Sequence, residues 1–139
     1  MLGNCIIGEA DPFISMLLVR FSERCGLHPV QAPLGNEVVG LAQQLRPLVI
    51  FLDCELPGSI RGWEAAQQLG ADSELCGIPI IVCSWLTEQA ARALIGDAVD
   101  YLQKPELHYD DFLEALRRAE CARGIGDTAR IAPAQLPAL

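Results

Sequence analysis

Six polar residues of this 139-residue chain stand where they could do chemistry. Asp53 directly follows the apolar run Leu48-Val49-Ile50-Phe51-Leu52, and Glu55 lies two residues further on. Ser84 ends Ile78-Pro79-Ile80-Ile81-Val82-Cys83, Lys104 follows Asp100-Tyr101-Leu102-Gln103, and Glu9 and Asp11 follow Cys5-Ile6-Ile7-Gly8. A carboxylate, a hydroxyl and an ammonium gathered at one place suit the transfer of a phosphoryl group to a carboxylate. Aspartate is a covalent phosphate acceptor. The transition state spreads its charge over the equatorial oxygens, so the protein contributes mainly positioning and neutralisation. Lys104 would pair with one phosphate oxygen and Ser84 would hydrogen-bond another. A divalent ion on oxygen ligands would supply further charge, and magnesium asks for one or two carboxylates besides phosphate and water. Lys104 is the one lysine beside nine arginines, as expected where a slim ammonium serves and a planar guanidinium does not. Each residue alone has a plain structural alternative: Asp53 as a turn cap, Ser84 as a strand-end hydroxyl, Lys104 as a solvated side chain, Glu9 and Asp11 as acids favouring a helix dipole. Four separate strand ends delivering useful groups together make the stronger case.

The elements that must position these groups alternate between strand and helix. Cys5-Ile6-Ile7 reads as a strand and Pro12 opens a helix, with Phe13, Met16, Leu17, Val19 and Phe21 as its apolar face and Gly26 closing it. Val30 to Ala32 is a weak strand between Pro29 and Pro33. Asn36 is placed to cap a helix through Leu45. Residues 48–52 and 78–83 are apolar without alternation, as in strands covered on both faces. Helices are expected over 63–69, from Thr87 or Glu88 to Ile95, and from Asp110 or Asp111 to about Ala122, with Phe112, Leu113 and Leu116 buried. Asp100-Tyr101-Leu102 is a short strand. This order implies α/β architecture: a parallel, doubly wound sheet built by right-handed crossovers, with helices on both faces. In such sheets ligands sit at the carboxyl ends of the strands, near a switch in strand order. The reading divides the chain into a domain over 1–123 and a flexible tail over 124–139, which carries Gly124, Gly126, Pro133 and Pro137.

Composition narrows the classes. The length suits one domain. A net charge of −8 argues against direct nucleic-acid binding. No apolar run reaches the ~18 residues of a membrane span, and Met1 to Ala10 lacks the basic start of a signal peptide. The six cysteines form no C-x-x-C pair and read as reduced thiols of a cytoplasmic protein, Cys5, Cys54 and Cys83 being small buried hydrophobes.

Over about residues 4–122 the chain resembles the receiver domain of two-component response regulators. The matching stretches are Leu48–Gly58 (LVIFLDCELPG), Ile78–Ser84 (IPIIVCS) and Asp100–Pro105 (DYLQKP). The resemblance implies five strands in the order 2-1-3-4-5 with five helices. It implies Asp53 as phosphoacceptor, Ser84 as switch hydroxyl, Tyr101 as aromatic switch, Lys104 as phosphate contact and a cis bond at Lys104-Pro105. It implies magnesium as the ion, a histidine kinase or phosphotransfer protein as partner, and a signalling phosphoacceptor rather than an enzyme; it leaves pairing with a second copy open. Two departures stand out. The family usually ends its first strand with two adjacent acids, and here the second position is Ala10, with Asp11 one place late. Glu9, Asp53 and Glu55 are therefore the expected metal ligands, with weakened affinity. Trp85 stands where the residue after the switch hydroxyl is usually small, narrowing the mouth.

Two other readings follow. A degenerate receiver, motivated by Ala10 and Trp85, would keep the fold as a phosphorylation-independent interaction module. A flavodoxin-like small-molecule binder would want a glycine-rich phosphate loop after the first strand, which is missing.

Overall fold

In a computed structural model, which describes residues 3–96, 98 and 100–122, the chain alternates strand and helix throughout. The elements are β1 (Gly3–Gly8), α1 (Pro12–Arg24), β2 (Leu27–Gln31), α2 (Gly35–Leu45), β3 (Val49–Leu52), α3 (Gly62–Ala71), β4 (Ile80–Ser84), α4 (Glu88–Ile95), β5 (Asp100–Gln103) and α5 (Tyr109–Ala122). All strand pairs are parallel, and the order is β2-β1-β3-β4-β5. The tail expected over 124–139 lies outside the described residues.

The unbroken apolar runs of the central strands serve two cores, because alternate side chains point to opposite faces. Cys5, Ile7, Phe51, Ile81 and Cys83 pack with Ile14, Leu18 and Phe21 of α1 and Phe112, Leu113 and Leu116 of α5. Phe51 and Phe112 stack there with ring centroids 4.7 Å apart. Ile6, Ile50 and Leu52 face the other way, onto Val38 and Ala42 of α2 and Ala66 and Leu69 of α3.

The structure corrects three local expectations. The buried stripe of α1 is Ile14, Leu18 and Phe21, whereas Phe13 is 79% exposed and Met16 is 48% exposed. β2 begins at Leu27, earlier than the prolines suggested, because it is an edge strand and tolerates Pro29 within it. Asn36 does not cap α2. That helix starts at Gly35, whose N–H donates to the Pro57 carbonyl at 2.8 Å. The loop between β3 and α3 is seated directly on this helix start: a Cβ on Gly35 would lie 2.0 Å from the Ile60 carbonyl oxygen.

Strand register gathers the four ends. Gly8 pairs with Leu52, which places Glu9 beside Asp53, and the Asp53 N–H donates to the Gly8 carbonyl at 2.9 Å. Ser84 pairs with Gln103, and the Lys104 N–H donates to the Ser84 carbonyl at 2.7 Å. Among the described residues, no helix is long and apolar enough to cross a membrane.

Candidate functional site

The centre of the site is one ammonium between two carboxylates. Lys104 Nζ lies 2.6 Å from Glu9 Oε1 and 2.9 Å from Asp53 Oδ2. All three residues are buried, with Glu9 4%, Asp53 8% and Lys104 3% exposed. Burial works against the charge of Lys104, but the two carboxylates outweigh it and hold the ammonium above its ordinary pKa. The peptide bond after it, Lys104-Pro105, is cis, as expected.

Each partner is fixed by its own strand end. Asp53 Oδ1 accepts from the Glu55 N–H at 2.9 Å, which leaves Oδ2 for the ammonium. Glu9 Oε2 accepts from the Asp11 N–H at 3.0 Å, which leaves Oε1 facing Lys104. Asp11 is turned away from the site: it caps α1, accepting from the N–H groups of Phe13 at 2.8 Å and Ile14 at 3.2 Å. The late acid therefore does not replace the one missing at Ala10.

Ser84 is buried, and its Oγ accepts from the Leu86 N–H at 3.1 Å and from the Cys54 thiol at 3.2 Å. Tyr101 faces outward. Its hydroxyl donates to the Gly96 carbonyl and accepts from the Ala98 N–H at 3.2 Å, while Arg92 lies over its ring at 4.7 Å. A cavity of about 110 Å³ lies between Ser84 and Tyr101, lined also by Val82, Ala91 and Leu102. Trp85 is 54% exposed, with its ring centroid 5.9 Å from Lys104 Nζ.

Glu55 does not join the other two carboxylates. It sits in the turn closed by the Leu56 N–H on the Asp53 carbonyl, and it is exposed. Among the described residues, no three His, Cys, Asp or Glu side chains are gathered closely enough to hold a metal ion. The residues fit magnesium through two carboxylates: Glu9 Oε1 and Asp53 Oδ2 face one point, where the Lys104 ammonium lies between them. Magnesium keeps several waters and needs no full protein cage.

Two residues of the site were not legible in advance. Cys54 looks like any small core residue in the sequence, yet its thiol donates to Ser84. Gly62, at the start of α3, lies against the backbone just after β3: a Cβ there would stand 2.0 Å from the Asp53 carbonyl oxygen. A glycine where a helix begins close behind the candidate aspartate was the available signal.

The sequence profile of the response regulator receiver domain matches residues 5–117. The chain belongs to that family. This receiver is 30% identical over 113 residues to protein PilH of Pseudomonas aeruginosa, covering 75% of this chain and 87% of PilH. It is 33% identical over 106 residues to the DNA-binding dual master transcriptional regulator RpaA of Synechocystis, covering 75% of this chain but only 44% of RpaA. Its fold matches the receiver domain of the sensor histidine kinase PA1611 from Pseudomonas aeruginosa, solved with magnesium coordinated in the active-site cleft. That match has a TM-score of 0.74 at 22% identity, over 88% of this chain and 98% of the other. The receiver is thus a module of two-component signalling, and modules of this kind bind magnesium and are phosphorylated as a class.

Proposed function

We propose that this receiver takes a phosphoryl group on Asp53 from a phosphohistidine of a histidine kinase or phosphotransfer protein, and reports it by reshaping the face made by α4, β5 and α5. The observation that carries the reading is the buried ammonium of Lys104 held between Asp53 and Glu9. It presents a fixed positive charge beside Asp53, where the phosphoryl oxygens arrive. In the transfer, Asp53 Oδ2 forms the new bond to phosphorus while the bond to the donor nitrogen breaks. Lys104 shifts from the carboxylate oxygen to a phosphoryl oxygen, and Ser84 offers its hydroxyl proton to another. Glu9 and Asp53 would hold magnesium, which would supply further positive charge against the phosphoryl oxygens. Glu55 adds negative charge at the mouth, and Trp85 covers the ammonium from solvent.

The switch follows from the space beside Ser84. When the hydroxyl turns toward phosphate, the adjoining cavity opens further, and Tyr101 can leave the Gly96 carbonyl and turn in. Phosphate shifts an existing equilibrium between these arrangements. The free thiols of the cysteines fit a reducing compartment, so we place the encounter in the cytoplasm.

Incubation with acetyl phosphate and magnesium, read by intact mass, tests this. Wild type should gain one phosphoryl group, Asp53→Asn none, and Lys104→Ala much less. Ala10 and the diversion of Asp11 into the α1 cap favour the second reading, a phosphorylation-independent interaction module. No mass gain by wild type at millimolar magnesium would select it.

A further inference from the structure

Cys54 is fully buried, follows the acceptor Asp53, and plays no part in the transfer described above. Its side chain packs with Val82, Ala91 and Tyr101 on the α4 side of the sheet, whereas Asp53 faces Glu9 and Lys104. From that side its thiol donates to Ser84 Oγ at 3.2 Å. Ser84 Oγ also accepts from the Leu86 N–H at 3.1 Å, so both its acceptor positions are filled. The hydroxyl is therefore held by two donors, one from its own loop and one from the strand that carries the acceptor.

We propose that the Cys54 thiol is a latch that sets the resting position of Ser84 and so opposes the switch until phosphate draws the hydroxyl away. The proposal rests on the reading of Ser84 as the switch hydroxyl. Cys54 is a positioning residue: it touches neither the acceptor oxygen nor the phosphoryl group. Turning Ser84 toward phosphate costs the Cys54 contact, while Tyr101, packed in the same cluster, can follow only after the hydroxyl has moved. A thiol suits this task because it is a weak donor. It biases the hydroxyl without locking it, and it fits an apolar pocket that a stronger polar group would burden.

The test is binding of beryllofluoride, a small tetrahedral mimic of the phosphoryl group, in the presence of magnesium and read by tryptophan fluorescence. Cys54→Ala removes the donor and should tighten binding about two- to fivefold, the lower part of the range for one neutral hydrogen bond. Cys54→Ser keeps a donor, and a stronger one, so it should bind no tighter than wild type. In a Ser84→Ala background, Cys54→Ala should change nothing. Cys54→Val, which lacks a donor and fills the space, replaces Cys54→Ala if the smaller side chain prevents folding. Binding by Cys54→Ala no tighter than wild type, no difference between the Ala and Ser variants, or an equal gain without Ser84 would each overturn the latch. Wild type that binds no beryllofluoride would overturn the phosphoacceptor reading and the latch together. Wild-type binding with no dependence on position 54 would overturn the latch alone.

Discussion

Replacing Lys104 by methionine removes the one charge that lets two carboxylates be buried side by side. The side chains of Glu9 and Lys104 are 2% and 1% exposed, and that of Asp53 is 11% exposed. At an effective dielectric of ~20, each contact is worth about 6 kcal/mol before desolvation is counted. Most of that is offset by the cost of burying the ions. What remains visible is the cost of stranding a buried charge, about 3–5 kcal/mol when one partner of such a pair is deleted. For a domain of this size that corresponds to a fall in Tm of roughly 10–20 °C. Urea unfolding in EDTA, followed by tryptophan fluorescence at pH 7, measures it without a divalent ion standing in for the ammonium. Glu9 is the more deeply buried carboxylate, so Glu9→Gln added to Lys104→Met should recover more than half of the loss. A Lys104→Met protein as stable as wild type would refute the reasoning. So would a deficit that Glu9→Gln leaves untouched, because the penalty would then be one of packing rather than charge.

Three further outcomes are expected. Asp11→Ala should cost about 1 kcal/mol of unfolding free energy, the worth of an N-cap, and leave phosphorylation by acetyl phosphate unchanged, because Asp11 faces α1 and not the site. Gly62→Ala should cost about 1–3 kcal/mol and also slow phosphorylation, because the added methyl presses on the Asp53 carbonyl; normal phosphorylation in a destabilised variant would show that this contact does not position Asp53. The pKa of Lys104 is raised above its ordinary 10.5: burial opposes the charge, but Glu9 and Asp53 prevail. A group with a raised folded-state value contributes fully below its unfolded value and loses that contribution as pH climbs through the folded one. The stability gap between wild type and Lys104→Met should therefore begin to narrow above about pH 10.5 and go on narrowing as pH climbs through the raised value, as read by urea midpoints across the alkaline range; a gap that stays constant above pH 10.5 would contradict it.

The strand ends were legible because buried parallel strands announce themselves. Residues 48–52 and 78–83 are apolar on consecutive positions, and each is followed by a polar residue that the sheet brings to one rim. The order of the strands came from the resemblance, since neither periodicity nor spacing distinguishes one parallel order from another. Side-chain direction beyond the strand ends was not legible. Glu55 and Asp11 are both acids near the rim, but one points to solvent and the other is consumed by a helix cap. Only the backbone turn around each residue decides that. Cys54 was hidden for a different reason: its pocket is apolar, so its identity as a hydrophobe is correct and says nothing of the single hydrogen bond it makes.

The alanine at position 10 has consequences of opposite sign for the two guests of the site. An acid there would raise the negative charge around Asp53, which attracts a divalent cation and repels an incoming phosphoryl group. Without it, one ammonium answers two carboxylates, and the pocket is less negative than the family pattern makes it. Entry of a small phosphodonor is eased by that change. On the proposed reading, binding of magnesium should be weakened twice over, by the lost ligand and by Lys104 occupying the oxygens that the metal needs. Phosphorylation of Asp53, as proposed, should relieve the second handicap, because the arriving oxygens would draw Lys104 off and add ligands of their own. Metal and phosphoryl group should therefore bind cooperatively here. Beryllofluoride and magnesium titrated against each other should each tighten the other's apparent Kd, as linkage requires. Independent affinities would show that Lys104 does not compete for the oxygens of Glu9 and Asp53.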